Sequence, residues 1–117
     1  MFLGYVSLRQ AGAVIFTVSL LCAVALPARA QEVTIELSIR NNRFEPAEIK
    51  VPARKPIRLH VRNLDSAPAE FESVSLRVEK VVTGKGEVII NLRPLAPGRY
   101  SFFDDFHQQT KGSLVAQ

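Results

Sequence analysis

The chain has 117 residues, with 15 Lys and Arg against 11 Asp and Glu, a net charge of +4, and one cysteine, Cys22. That length holds one domain. One cysteine excludes an intrachain disulfide, and the lack of any basic run or groove-docking helix argues against nucleic-acid binding.

The N-terminus reads as a processing signal. Met1 to Arg9 carries one basic residue and no acid, and Ala11 to Leu26 is apolar apart from Thr17 and Ser19. Pro27 and Ala28-Arg29-Ala30 follow, with small residues at the positions a signal peptidase reads. The apolar run is shorter than the roughly 20 residues that span a bilayer. The pattern predicts a signal peptide over residues 1–30, cleaved after Ala30, and a single domain over 31–117. Cys22 leaves with the signal, and Leu21 before it is not the small residue that lipidation wants. Without Arg9 and Arg29, thirteen basic residues face eleven acidic ones, so the domain carries a net charge of only +2.

Apolar residues beyond the signal recur with period two, the mark of half-buried strands. Val33 to Ile39 places Val33, Ile35, Leu37 and Ile39 on one face. Ile57 to Arg62 repeats the pattern with Arg58, His60 and Arg62 on the wet side. Val74 to Glu79, Val88 to Leu92 and Tyr100 to Phe106 follow, and Gly112 opens a last strand. Breakers separate them: Pro46, Pro52, Pro56, Asn63 to Pro68, Thr83 to Gly86 and Pro97-Gly98. No segment has helical periodicity; a turn near Pro68 to Ser73 comes nearest. Short strands at such spacing predict an all-β, antiparallel sandwich or barrel with Greek-key connections.

The chemistry-bearing residues fall in two places. An aromatic strand ends in Asp104, Asp105 and His107, and carboxylate with imidazole suits iron, manganese or zinc. Such residue types in a loop are more often simply solvated, because coordination needs several converging ligands. Glu70 and Glu72 flank Phe71, and Glu79 lies further along. With Phe71 inward, both flanking glutamates face away from the core, where edge charge that blocks strand pairing is the plainer explanation. His60, between Arg58 and Arg62, reads as a surface residue whose cationic neighbours discourage a metal.

Phe44-Glu45-Pro46, the Pro-Ile-Arg-Leu run into Asn63, Ala69 to Ser73 and Pro97 to Phe102 fall in an order that resembles the cupredoxins. The resemblance implies a β-sandwich of about seven strands. It puts Asp104 where a blue-copper protein has its cysteine, His107 at the histidine position and Thr110 at the methionine position. Ala69 and Glu70 stand in place of the upstream histidine. More narrowly, the Glu-Phe-Glu-Ser segment, Glu79 to Val82 and the Phe-Phe-Asp-Asp-Phe-His ending are similar to small cupredoxin-like proteins of bacterial iron uptake. That likeness implies a periplasmic protein binding iron, with copper as the alternative metal and ferrous-iron oxidation as a ferroxidase-like activity. It also implies an inner-membrane iron permease and a periplasmic iron-binding protein as partners. The expected metal ligands are Glu70, Glu79, Asp104 and His107, with Asp105 as an additional ligand or support and Glu72 in reserve. The rival readings are a non-blue copper-binding protein and a metal-free interaction module.

Overall fold

The computed structural model describes residues 4, 11–26 and 31–117. The cleavage motif at Ala28 to Ala30 lies outside them. Residues 11–26 form neither helix nor strand and are exposed throughout, and none of them joins the core. Among the described residues no helix is long and apolar enough to cross a membrane.

Nine strands form the domain: β1 (Val33–Arg40), β2 (Arg43–Glu45), β3 (Glu48–Val51), β4 (Ile57–Asn63), β5 (Ala69–Ser73), β6 (Val78–Val82), β7 (Glu87–Leu92), β8 (Gly98–Asp104) and β9 (His107–Ala116). They build a four-stranded sheet, β2-β1-β4-β7, and a five-stranded sheet, β3-β9-β8-β5-β6. The all-β sandwich is therefore as expected. The two strands beyond the expected seven arise because short segments such as β2 and β3 are too brief to show a period.

Three further expectations are corrected. The sheets are mixed rather than antiparallel, since β1 runs parallel to β4 and β3 parallel to β9. Val74 to Arg77 is a turn and not the start of a strand. Arg77 takes a positive φ of 57° there, the Ser73 hydroxyl accepts the Leu76 amide, and the preceding Ala69 to Ser73 is strand. The last strand begins at His107 rather than Gly112, because the β8–β9 turn is tight and Asp104 pairs with His107.

The core lies between the sheets and needs no metal to fill it. Leu37, Leu59, Val61, Phe71, Val82 and Leu114 are fully buried. Phe44, Phe71 and Phe102 pack as a trio, with Phe102 centred 4.8 Å from Phe44 and 5.0 Å from Phe71. Gly112 lies opposite Phe102 in the β8–β9 register, and a Cβ there would collide with the Phe102 ring. Gly112 is thus a packing requirement.

Candidate metal centre

Strand register decides which side chains meet. Phe71 pairs with Asp104, and Glu72 pairs with Phe103 across β5 and β8. Directly opposed residues share a face, so Asp104 points with Phe71 into the sandwich, where it is 1% exposed. Across β5 and β6, Glu72 pairs with Glu79 and Glu70 with Val81. Glu70, Glu72 and Glu79 therefore lie on the outer face of the five-stranded sheet. The five expected ligands, which the sequence reading brought together, are distributed over two places.

The inner place is a clamp. Asp104 Oδ1 accepts the Glu70 amide at 2.9 Å and the Phe106 amide at 3.0 Å, and Oδ2 lies 2.9 Å from His107 Nδ1. Both oxygens are thus occupied by the protein, and His107, about a third exposed, is held by its Nδ1. Thr110, at the methionine position, hydrogen-bonds through its hydroxyl to the Asn42 carbonyl. With Ala69, Asp104 and Thr110 at three ligand positions, these residues do not fit a thiolate-ligated copper ion.

The outer place is a cluster. Glu70, Glu72 and Glu79 each offer an oxygen within 4.8 Å of the others. Glu70 is nearly buried and Glu72 half-buried, whereas Glu79 is exposed. Asp105 adjoins them: its amide donates to the Glu70 carbonyl at 2.9 Å, and its charge acts on both Glu70 and Glu72. A hydrogen bond with Glu79 pushes the Glu70 carboxyl up to about 7, helped by desolvation and by the charges of Glu79, Asp105 and Glu72. Desolvation, then Asp105 and Glu79, raise Glu72 as well. Crowded carboxylates that cannot all ionise comfortably form a place where a cation displaces a proton.

The cluster stands out against the rest of the molecule. Among the described residues Glu32, Glu36, Glu45, Glu48 and Glu87 each face an Arg or His. Asp65 accepts the amides of Asn41 and Asn42, and Asp104 is filled as described. Of the remaining acids, none of which pairs with Lys, Arg or His, Glu70, Glu72 and Glu79 lie together and Asp105 beside them meets only the Gln108 side-chain amide, at 3.1 Å.

Glu72, placed in reserve by sequence reasoning, is a full member of the cluster; the period-two spacing from Glu70 was its signal. His60 differs from expectation in its surroundings. Its Nδ1 lies 2.8 Å from Glu36 on β1 and its Nε2 lies 2.9 Å from Glu87 on β7. The arginines neighbouring it along β4 are thus outweighed by carboxylates from the strands on either side.

The profile of the cupredoxin-like domain matches residues 12–116. An uncharacterised protein of Rickettsia prowazekii (strain Madrid E) is 41% identical over 81 residues, covering 69% of this chain and 65% of that protein. The chain thus spans just under two thirds of that relative's length. Among solved structures, auracyanin A, a "blue" copper protein of Chloroflexus aurantiacus, matches at a TM-score of 0.63 and 14% identity, over 74% of this chain and 100% of that one. The metal-binding domain of the Cu(I)-exporting P-type ATPase CopA of Streptococcus pneumoniae D39 also matches at 0.63, with 16% identity, over 77% and 99%. At such identities these two similarities concern the fold.

Proposed function

The chain belongs to the cupredoxin-like domain family, and from that premise we propose that it is an exported protein that binds iron on its outer carboxylate cluster. In this reading residues 1–30 are a signal peptide removed in the periplasm. Glu70, Glu72 and Glu79 supply oxygen ligands, Asp105 completes the set, and an inner-membrane iron permease, directly or through a periplasmic iron-binding protein, receives the cargo.

The observation that carries this reading is the accounting of charge. Of the eleven acids, six pair with Arg or His, Asp65 holds two backbone amides, and the other four, of which Asp105 meets the Gln108 side-chain amide, gather at one spot. Surface acids kept only for solubility would be spread, and would not push one of their number up to about 7. Oxygen-only ligands select hard cations over cuprous copper, which favours thiolate and thioether. They also stabilise the ferric over the ferrous charge, so the same site favours oxidation of bound ferrous iron. Asp104 and His107 serve as the frame: Asp104 fixes the Glu70 amide, and the turn it shapes carries Asp105.

The reading is tested by titrating ferrous and ferric iron into the protein from Gln31 onward, by calorimetry. Glu70→Gln and Glu79→Gln should each weaken binding at least about tenfold, about the effect of removing one charge-assisted contact. Glu48→Gln, on the same sheet but paired with Arg99, should leave it unchanged. Equal affinities in all four proteins, or no iron bound by the wild type, would remove the reading and leave an interaction module.

A further inference from the structure

We propose that the end of the sandwich opposite the Asp104 turn is a docking surface for an anionic lipid bilayer. Three exposed cations converge there. Arg54 and Lys55 occupy the β3–β4 turn, and Arg93 follows β7. The Arg54 amide donates to the Leu95 carbonyl at 2.8 Å, and Ile57 pairs with Leu92, so the two loops lie side by side. Among the described residues none of the three forms an ion pair. The acids nearest this end are already neutralised, Glu32 by Arg58 and Glu48 by Arg99.

Two further observations point to a membrane rather than to a soluble acidic partner. The chain enters the sandwich at this same end, where the Val33 amide donates to the Pro56 carbonyl at 3.0 Å. The exposed apolar segment 11–26 precedes that entry. While this segment occupies a bilayer during export, Arg54, Lys55 and Arg93 are the part of the domain held against the headgroups. The molecule is also polar along its strands. β8 runs from Gly98, opposite Ala116, to Asp104, and seven strand residues span roughly 20 Å at about 3.3 Å each. Glu70 and Asp105 lie at the far end of that span, so phosphate charge on the bilayer attracts one end without repelling the other. Docked in this way, the sandwich stands upright and its carboxylate cluster faces sideways, clear of the membrane.

Each basic residue close to an anionic surface contributes about 1 kcal/mol, so three predict about a hundredfold preference for anionic over neutral vesicles. Among the described residues, 31–117 contain every strand and every core residue, so this segment is the one to test, free of the apolar leader. Co-sedimentation with phosphatidylglycerol vesicles at low salt should show binding that phosphatidylcholine vesicles do not support. Salt at 1 M, where screening acts within about 3 Å, should abolish it. The triple variant Arg54→Glu, Lys55→Glu, Arg93→Glu should lose the preference, and circular dichroism checks its fold; Arg54→Gln, Lys55→Gln, Arg93→Gln serves if charge reversal disturbs folding. Iron binding by the same variant should be unchanged, which separates this surface from the carboxylate cluster. Absent binding to anionic vesicles, equal binding to neutral ones, or binding retained in both variants would each overturn the proposal.

Discussion

Asp104 shows how much one residue's setting decides its role. A carboxylate at 1% exposure is costly unless every lone pair is used, and this one is met by two amides and an imidazole. Asp104→Ala would strand the Glu70 and Phe106 amides inside the protein, at about 1–3 kcal/mol for each unsatisfied group. Urea unfolding should therefore show a loss of about 2–6 kcal/mol. Asp104→Asn keeps an acceptor oxygen for the amides and should cost less. If Asp104→Ala is as stable as wild type, Asp104 is not a clamp. Its identity as a site residue was legible from its place at the end of an aromatic strand. Its orientation was not, because a single-residue shift in strand register exchanges inside for outside, and the tight turn that sets this register depends on the Asp104 side chain itself.

At the scale of elements, the long strands were readable and the short ones were not. β1, β4 and β7 alternate over six residues or more, and their wet faces carry the partners that a linear reading of His60 lacked. Glu36 is opposite His60 in the β1–β4 register, and Glu87 is opposite Arg62 in the β4–β7 register. Side-chain hydrogen bonds to Glu36 and Glu87, with their charges adding to these, raise the His60 pKa above 6.5 in spite of some desolvation. Arg62 shares both carboxylates, with Nε 4.0 Å from Glu36 and 3.5 Å from Glu87. A raised histidine pKa stabilises the fold fully below the unfolded value of 6.5 and loses that contribution as pH rises through the folded value. The network is on the surface, so the effect is small, at most about 1 kcal/mol. His60→Gln should lower the melting temperature slightly below pH 6.5 and converge on wild type in alkali. A difference that grows with pH would contradict this arrangement. By contrast, Val74 to Glu79 alternates as well as any strand yet bends at Arg77. Period two does not distinguish a strand from a turn whose side chains happen to alternate, and the β5–β6 pairing that demands the turn is not local.

Over the whole molecule, the core and the candidate site are energetically separate. The aromatic trio and the aliphatic layers close the sandwich without any metal, so the protein should fold metal-free and unfold cooperatively, and a chelator should return iron-loaded protein to the metal-free melting temperature without unfolding it. The two forms should differ in how they respond to pH. Glu70 is raised from 4.5 to about 7 in the folded state. A carboxyl with a raised pKa holds its proton more tightly folded than unfolded, so its stabilising effect is complete below 4.5 and lost as pH climbs through about 7. The metal-free protein should therefore lose melting temperature between these limits, as the Glu70 proton that the folded state holds is lost. Glu70→Gln carries no such proton and should flatten the decline. Iron should reverse it, because the ion binds the deprotonated cluster and adds stability in proportion to its saturation, which increases over the same interval. Differential scanning calorimetry of the metal-free, iron-loaded and Glu70→Gln proteins from pH 4.5 to 8 checks all three curves. Parallel curves for the metal-free and iron-loaded proteins would mean that the ion sits elsewhere, and a wild-type decline matched by Glu70→Gln would place the titrating group at a residue other than Glu70.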